Sequence, residues 1–306
     1  MKLESDYHKT ALLKPAVDYL DIKPGKLYVD ATIGGGSHSL EILKKKGRIF
    51  GLDCDIDAVK HARKRLAAFC HSPAGEACPL NAFEIVFGNF VHLEEILDKH
   101  QIVHFAGILF DLGTSQRQLM SKGRGFSFNA DEPLDMRMDK NLQVNAADLI
   151  GGLGQKELYE LFTRLGEEQY SRAIAADIVS ARKLSPIKTT GQLADIAEKV
   201  YSKYKVKTRI HPATKIFQAL RIAVNDELNN LKEVLPQALK KLMPGGRIVI
   251  ISFHSLEDRI VKDFFKKKQK QGEIKLITKK PICPQAKEVI DNPACRSAKL
   301  RTVEKI

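Results

Sequence analysis

Short apolar runs, each closed by an acid or a small polar residue, mark the first third of the chain. Runs of this length bounded by glycine and polar residues are typical of strands in a parallel sheet, where both faces are covered. Apolar residues recur at helical spacing between them, as in residues 57–69. The predicted strands are residues 27–30, 47–53, 82–87 and 105–111. The alternation of strands and helices predicts an α/β fold with a parallel sheet.

The strand pattern stops after residue 119 and is replaced by helical periodicity. Helical segments are predicted at 146–150, 155–165, 167–183 and 190–202. The α/β pattern then returns with one long helix from Thr214 to Leu242, a break expected at Pro236, a strand ending at Ser252 and a last strand near 296–301. Residues 1–119 and 213–306 are therefore predicted to form one discontinuous domain, with 120–212 as an inserted all-helical domain.

The turn after the first strand is the leading candidate for a cofactor site. Gly34 and Gly36 let the backbone turn tightly and approach a ligand closely. Asp53 ends the second strand 19 residues after Gly34, where an acid can bind ribose hydroxyls. The dinucleotide motif G-x-G-x-x-G is incomplete, and Asp30 and His38 crowd the turn with side chains. S-adenosylmethionine (SAM), a nucleoside without a pyrophosphate, suits this turn better than a dinucleotide.

Three strands in this part of the chain end in an acid, at Asp30, Asp53 and Asp111. The carboxyl ends of parallel strands meet at one edge of a sheet, so we expect these acids to share a crevice. Phe90 follows the third strand and is expected either to flank an adenine or to pack in the core. A pure RNA-binding module would not need three acids in one crevice, which favours an enzyme that transfers a methyl group.

Methylation of an exocyclic amine requires a group that accepts the amine proton, because the nitrogen lone pair is delocalised into the ring. Asp111, with Thr114, Ser115 or a backbone carbonyl beside it, is the candidate catalytic group. Phe126 or Phe128 could stack on an extruded base, although packing onto the sheet explains them equally well. Arg124 lies between two glycines in a loop that could close over a substrate.

The charge of the chain favours a polyanionic partner. Fifty Lys and Arg face 37 Asp and Glu, which gives a formal net charge of +13. Neutralised phosphates would then supply affinity and a steep salt dependence. The lysine run 266–270 is expected either to contact phosphate or to be a solvated helix end.

The cysteines and the hydropathy pattern indicate a soluble cytoplasmic protein. The five cysteines form no C-x-x-C pair, so neither a disulfide framework nor a zinc site is predicted, and no metal site of another kind. Reduced thiols fit the cytosol. No signal peptide or apolar run of spanning length is found, and no membrane association is expected.

Taken together, nine motifs resemble one family closely, the RsmH (MraW) family, over His8 to Arg301. They are Asp30–Ser39, Phe110–Gly113, Arg124–Phe128, Pro133–Met138, His211–Thr214, Phe217–Ile222, Pro244–Arg247, Ile251–Arg259 and Arg296–Arg301. That family methylates a cytidine N4 in small-subunit ribosomal RNA with SAM. The resemblance implies a class I SAM-dependent methyltransferase sheet of Rossmann-like type, interrupted by a helical domain for RNA recognition.

By motif position, the resemblance also assigns residues to SAM. Contacts are implied at Gly36, Ser37, His38, Asp53, Phe90, Asp111 and Gln118, and Gly34 of the same turn is a further candidate. The candidate substrate contacts are Arg124, Phe126, Phe128, Arg137, His211, Lys215 and His254. The implied partner is 16S-type ribosomal RNA in its decoding region, within the small subunit, and a homodimer is a further form to expect.

Three departures from the family and two alternative functions stay open. Thr114–Arg117 replaces the more usual Val-Ser-Ser-Pro, which leaves the detailed role of Ser115 open. Ser37 stands where the family usually has glycine, so the backbone there must tolerate a Cβ. Lys215 replaces a common arginine, which keeps the charge and loses bidentate phosphate binding. The alternatives are a DNA amino-methyltransferase, whose proline-proline-aromatic motif is absent after the fourth strand, and a non-catalytic rRNA-binding assembly factor.

Overall fold

The computed structural model describes residues 10–72, 78–79, 81–115, 118–119 and 121–306. The start of the motif region at His8 and the predicted boundary at Met120 lie outside the described residues. The chain divides into two compact units, one formed by Met1–Ser115 with Leu228–Ile306 and one by Gln116–Glu227.

A seven-stranded sheet is the centre of the first unit. Its strands are β1 (Leu27–Asp30), β2 (Arg48–Asp53), β3 (Phe83–Phe87), β4 (Phe105–Asp111), β5 (Leu242–Ser252), β6 (Ile274–Leu276) and β7 (Lys299–Lys305). Their order is β3-β2-β1-β4-β5-β7-β6, with β1 to β5 parallel and β7 antiparallel to its two neighbours. The predicted α/β class with a parallel Rossmann-like sheet is confirmed.

The strand order fixes where a ligand site can form. The chain moves from β1 outward to β2 and β3, then crosses to β4 on the other side of β1. The crossover connections therefore diverge at β1 and β4, and open α/β sheets bind ligands outside the strands' carboxyl ends at such a point. Asp30 and Asp111 are the last residues of these two strands.

Amphipathic helices cover the sheet of the first unit. They are α1 (Leu13–Leu20), α2 (Ser37–Lys44), α3 (Ile56–Cys70) and α4 (Leu93–Lys99) in the first half. Tyr28, Phe50 and Phe110 are at most 1% exposed and form part of the core between the sheet and its helices. Burying such side chains contributes about 1.5–3 kcal/mol each, so the sheet edge carrying the acids rests on a rigid base.

The second unit is helical and has its own core. Its helices are α5 (Ala146–Gly152), α6 (Gln155–Gly166), α7 (Ser171–Leu184), α8 (Thr190–Lys203) and α9 (Thr214–Asn225). Reciprocal capping boxes start α5 at Asn145 and α8 at Thr189, which satisfies backbone N–H groups of the first turn. Leu158, Phe162 and Leu220 are fully buried in one cluster of this unit.

The predicted long helix from Thr214 to Leu242 is wrong, because the structure contains two helices there. α9 ends at Asn225, Asp226 adopts a left-handed conformation with φ of 49°, and α10 spans Glu227–Lys241. Pro236 lies inside α10, so the expected break is ten residues too late. The second unit thus extends to residue 227 rather than to 212, since α9 packs into its core.

Two helices and a short strand lie between β5 and β7, and the pattern did not predict the second helix or the strand. Helices α11 (Ser255–Lys270) and α12 (Ala286–Asp291) follow, and the three-residue strand β6 pairs with β7 at the sheet edge. A three-residue strand carries too little periodicity to be recognised. The last strand runs from 299 to 305, a few residues later than predicted.

Cys70 and Cys78 form a disulfide, so the prediction of reduced thiols is wrong at these two positions. Their eight-residue separation spans a turn-rich segment, and no C-x-x-C motif marks the pair. Cys54, Cys283 and Cys295 take no part in this disulfide. Across the described residues, no helix combines the length and the apolar character that a membrane crossing would need.

Candidate active site

The glycine turn between β1 and α2 is tied to the strands on both sides of it. The Ala31 N–H donates to the Leu109 carbonyl of β4, and the Ile33 N–H donates to the Leu52 carbonyl of β2, at 2.9 and 2.8 Å. Gly34 and Gly36 have φ of 48° and 73°, a conformation that costs a residue with a Cβ free energy. The turn is therefore held above the carboxyl ends of three strands.

Asp53 fastens this turn from the end of β2. One carboxylate oxygen, Oδ2, accepts a 2.8 Å hydrogen bond from the Gly34 N–H, and Oδ1 accepts one of 2.8 Å from the Asp55 N–H. Burial raises its pKa to about 6, which the backbone hydrogen bonds oppose and the nearby Asp55 and Asp30 reinforce. Each oxygen retains a lone pair that a ribose hydroxyl could use.

Asp30 is buried at the end of β1 and is 1% exposed. Its Oδ2 accepts a 2.7 Å hydrogen bond from the Ser39 hydroxyl, and Oδ1 accepts a 3.4 Å bond from the Thr32 N–H. Burial raises its pKa to about 6, because few polar partners compensate the lost hydration. Asp30 therefore orders the turn and adds negative charge below it.

Asp111 is the acid whose buried carboxylate has the fewest polar contacts to replace its lost hydration. The Asp111 N–H donates to the Thr32 hydroxyl at 2.6 Å, which places the residue against the turn. Its Oδ2 lies 3.9 Å from His38 Nδ1, and its Oδ1 is buried with no hydrogen-bond partner in the described residues. Burial raises its pKa well above the ordinary value, and the like charges of Asp30 and Glu257 raise it further.

Three acids with raised pKa values around one turn at the edge of the sheet form a site suited to a cation. An opposite charge beside them would favour their ionised forms and recover part of the cost of burial. Perturbed carboxylates at the switch point of such a sheet are also a recognised mark of functional sites. The structure brings Asp53 and Asp111 together around the same turn, as the sequence predicts.

Phe90 begins a short 3₁₀ helix after β3 and is half-buried. Its ring meets the Phe110 ring edge-on, with the centroids 5.8 Å apart, and packs against the core. The Asn89 side chain caps this turn by accepting a hydrogen bond from the Val91 N–H. The exposed part of Phe90 could contact a ligand, and its buried part fixes the ring's position.

Ser37 and Arg65 hold the turn from its other end. Ser37 is the first residue of α2 and has no positive φ, so its Cβ is accommodated where the family usually has glycine. Arg65 Nη1 donates to the Gly35 carbonyl and to the Ser37 hydroxyl, both at 2.9 Å. Both side chains also line a cavity of about 510 Å³, which the strand-end acids do not line.

Ser115 and Gln118, the other two residues proposed at the site, are not shown to contact the glycine turn. Ser115 is half-buried and ends the first unit, whereas Gln118 is buried and belongs to the second. Of the predicted cofactor residues, those from Gly34 to His38 are therefore gathered around one turn with Asp53 and Asp111.

Arg124, Phe126 and Phe128 have structural contacts within the second unit. The Arg124 guanidinium donates to the carbonyls of Arg137 and Met138 at 3.1 and 3.0 Å and is 9% exposed. Phe126 is 7% exposed in the helical core. Phe128 packs at the edge of that core, so the two phenylalanines pack within the helical unit, which differs from the expected packing onto the sheet.

Arg137, His211 and Lys215 also have partners in this unit. Arg137 forms a bidentate ion pair with Asp135, at 2.7 and 2.8 Å. His211 stacks on Phe128 with the ring centroids 4.4 Å apart, and its Nε2 lies 2.6 Å from a Glu198 oxygen. Lys215 donates to the Glu167 carbonyl at 2.7 Å. Their roles toward a substrate stay a prediction.

His254 caps helix α11 in the first unit. Its Nδ1 accepts a 3.4 Å hydrogen bond from the Glu257 N–H, and the Glu257 carboxylate accepts in return from the His254 N–H. The side chain is 8% exposed and is held at the carboxyl end of β5. A position at the ligand-binding edge of the sheet is consistent with the predicted substrate contact.

The lysine run 266–270 lies at the far end of α11. This helix starts at the carboxyl end of β5 and has 16 residues, so its last turn is roughly 24 Å from its first. Lys268 is paired with Glu273 at 2.8 Å, whereas Lys266, Lys267 and Lys270 are exposed. Only the exposed lysines are suited to phosphate, at a distance from the crevice.

Sequence reasoning missed Thr32, Ser39 and Arg65. The first two lie within the glycine turn and its helix, where a hydroxyl within hydrogen-bond reach of a strand-end acid is a usable signal. Arg65 has no such signal, because its contact with residue 35 depends on how α3 packs beside α2.

The sequence is similar to known proteins over almost its whole length. The chain is 42% identical to a "Ribosomal RNA small subunit methyltransferase H" from Carboxydothermus hydrogenoformans, over 98% of both chains. It is 40% identical to a protein of the same description from Halothermothrix orenii, again over 98% of both.

A solved structure described as an rRNA methylase from Streptococcus thermophilus covers 95% of this chain and 95% of its own, at 11% identity and a TM-score of 0.45. A structural similarity with so low a TM-score does not assign the family. The sequence also matches the family described as "MraW methylase family" over residues 5–306. The chain belongs to the MraW methylase family.

Proposed function

We propose that this methylase transfers a methyl group from SAM to N4 of a cytidine in the decoding region of small-subunit ribosomal RNA. Membership of the family and relatives described as ribosomal RNA small subunit methyltransferase H support the reaction class and the RNA. The observation that carries the proposal is that Asp53 and Asp111 both contact one glycine turn at the carboxyl edge of the sheet, while one buried Asp111 oxygen has no hydrogen-bond partner among the described residues.

The residues at the crevice fit SAM. Asp53 presents carboxylate lone pairs for the ribose hydroxyls beside a turn whose glycines allow close approach. Asp30 and Asp111 supply negative charge for a cation, and the exposed edge of Phe90 is an apolar surface for an adenine. No pyrophosphate is needed to explain any of these contacts.

When bound, SAM supplies an activated methyl group and a neutral thioether as leaving group. The protein's part is to place the cytidine N4 in line with that methyl at roughly 3–3.5 Å and to exclude water. A carboxylate near the N4 hydrogens localises the nitrogen lone pair and accepts one proton as the new C–N bond forms. Asp111 is the group we assign to this role.

The environment of Asp111 suits a proton acceptor. Burial and neighbouring acids raise its pKa, so its carboxylate is a stronger base than a solvated aspartate. His38, 3.9 Å away, is positioned to orient the other carboxylate oxygen. Ser115 follows Asp111 by four residues, and its assistance to the amine is part of the proposal.

The RNA partner and the setting of the reaction follow from chemistry and charge. The net charge of +13 suits a polyanion. The second unit is proposed to recognise the RNA, the small subunit to present the cytidine, and the protein to act in the cytoplasm. The homodimer also stays a prediction.

The test is transfer of a labelled methyl group from SAM to unmethylated small subunits, with naked ribosomal RNA and a DNA duplex as controls. We expect label in the small-subunit RNA and at least a hundredfold slower transfer by Asp111→Asn, since positioned general bases contribute about 10²–10⁴-fold. Heat from SAM binding without transfer to any RNA would contradict the proposal. No heat with SAM would favour a non-catalytic assembly factor.

A further inference from the structure

The end of helix α8 and the loop that follows it form a basic stretch with an exposed aromatic ring. Between Lys199 and His211 the sequence has five cations and no acid. The cations are Lys199, Lys203, Lys205, Lys207 and Arg209, and all five are exposed. None of them forms an ion pair within the described part of the chain. We call residues 203–211 the basic loop.

Tyr204 is the exposed aromatic residue of the basic loop, with 52% of its surface accessible. Its ring stacks on the Tyr170 ring, with the centroids 4.9 Å apart and an angle of 30° between the planes. Tyr170 in turn meets Tyr201 edge-on at 5.0 Å. One side of the Tyr204 ring is thus supported by protein, and half of the side chain is left for a partner.

The support beneath Tyr204 is rigid. The Tyr201 hydroxyl donates to the carboxylate of Glu168, 2.8 and 2.9 Å from its two oxygens, and both residues are buried. Glu168 also accepts a 2.8 Å hydrogen bond from the Tyr170 N–H. These hydrogen bonds hold the Tyr201 ring and the Tyr170 backbone, so the ring on which Tyr204 stacks packs against a fixed neighbour.

The basic loop is anchored at two points, which leaves its cations directed outward. Val206 packs against the helical core, and its N–H donates to the Tyr201 carbonyl at 3.1 Å. His211 is held by Glu198 and by stacking on Phe128. Because Glu198 is engaged by His211, the acid closest in sequence to the loop does not neutralise its lysines.

We infer that the basic loop binds a single-stranded segment of the RNA substrate, with one base stacked on Tyr204 and the phosphates beside Lys205, Lys207 and Arg209. Single strands offer unpaired bases to aromatic side chains, whereas a duplex hides its base faces. An aromatic ring among cations is the combination that single-strand binding uses. The inference rests on the proposed function, because it takes RNA as the substrate.

The test measures binding of a fluorescent single-stranded RNA of about ten nucleotides, without SAM, by anisotropy across a range of salt concentrations. Tyr204→Leu keeps an apolar side chain and removes the π face, and we expect about 5- to 150-fold weaker binding. Tyr204→Trp is expected to retain wild-type affinity. Leu184→Ala, which changes a 91% exposed residue of the same unit, is the control.

The charges are tested separately from the ring. Changing Lys205, Lys207 and Arg209 to glutamine is expected to reduce the slope of log affinity against log salt by about 2, since each phosphate on a single strand contributes about 0.7. Tyr204→Leu is expected to leave this slope unchanged. The matched control, with the same charge removed from the same unit, changes Arg164, Lys183 and Lys188.

The binding affinities and the salt slopes together decide the inference. Loss of affinity in Tyr204→Leu with retention in Tyr204→Trp supports it, provided that thermal unfolding is unchanged. Equal affinities for all Tyr204 variants, or equal slopes for the two triple variants, overturn it. If wild-type protein methylates small subunits while these variants bind RNA normally, only the inference about the loop fails; if no transfer occurs at all, the proposed function fails instead.

Discussion

Replacing Asp53 by asparagine tests how the crevice recognises a nucleoside. The carboxylate accepts hydrogen bonds from the N–H groups of Gly34 and Asp55 and keeps lone pairs for two ribose hydroxyls. Asparagine preserves the shape, but one of its ends is a donor. The variant therefore loses the charge, one acceptor toward the backbone and part of the ribose contact.

The magnitude follows from the strength of a charged hydrogen bond and from the raised pKa. A hydrogen bond to a charged group contributes about 1.5–3 kcal/mol, or about 10- to 150-fold in affinity. With a pKa of about 6, Asp53 is about 90% ionised at pH 7 and about 10% at pH 5. If the ionised form binds, wild-type affinity falls about tenfold between these pH values.

The assay is isothermal titration with S-adenosylhomocysteine, the uncharged thioether product, at pH 5 and pH 7. This ligand lacks the sulfonium, so the attraction between that charge and the other acids no longer contributes to the measured affinity. We expect Asp53→Asn to bind at least tenfold more weakly at pH 7 and to lose the difference between the two pH values.

The control is Asp18→Asn, which removes the same charge from an exposed residue of α1 that pairs with Lys45. It is expected to match the wild type at both pH values. Wild-type affinity that does not change with pH, or normal binding by Asp53→Asn at pH 7, would refute the assignment of Asp53 to the ribose.

Three further predictions concern other parts of the structure. The pKa of Asp30 is about 6 in the folded state and 3.8 in the unfolded state, so between these pH values the folded state binds more protons. The stability that protonated Asp30 contributes is therefore lost as the pH rises from about 4 to 6. The free energy of unfolding of Asp30→Asn, relative to that of the wild type, should therefore increase by about 3 kcal/mol between pH 4 and pH 6. Urea unfolding that gives the same difference between the two proteins at both pH values would contradict this. Arg65→Ala should weaken SAM binding through the loss of its bonds to residues 35 and 37, and Ser37→Gly should weaken it less because the bond to residue 35 remains; titration showing the reverse order would contradict the role of Arg65. Changing Lys266, Lys267 and Lys270 to glutamine should leave SAM affinity unchanged and reduce the salt slope of RNA binding by up to about 2, and an unchanged slope would identify this helix end as solvated surface.

The parallel sheet could be predicted because its signal is local. Four apolar runs ending in acids or polar residues identified β1 to β4 closely. The acids at the ends of β1, β2 and β4 were found for the same reason. A residue at a strand's carboxyl end can be placed at the site without knowledge of packing.

The features that could not be predicted depend on contacts between distant segments. The break at Asp226 was missed because aspartate is tolerated in a helical pattern and proline is the stronger signal, yet Pro236 lies within α10. The disulfide joins residues 70 and 78, whose spacing fits no common motif. The contact of Arg65 with the glycine turn depends on the packing of α3 beside α2.

The substrate residues show a second limit of sequence reasoning. Arg124 and Arg137 are held by carbonyl groups and by Asp135, so a family motif can mark a residue that stabilises a loop as well as one that touches RNA. Tyr204, which carries the inference about RNA, stands outside every motif quoted above. Its importance became apparent only from its exposure and its stacking on Tyr170.

The most direct measurement of the central claim is mass spectrometry of nucleosides from small subunits incubated with the protein and SAM carrying a deuterated methyl group. The account predicts a labelled monomethylated cytidine whose fragments place the methyl on the exocyclic nitrogen of the base, and its absence when Asp111→Asn replaces the wild type. Label on a ring carbon, on a ribose hydroxyl or on a different base would contradict it.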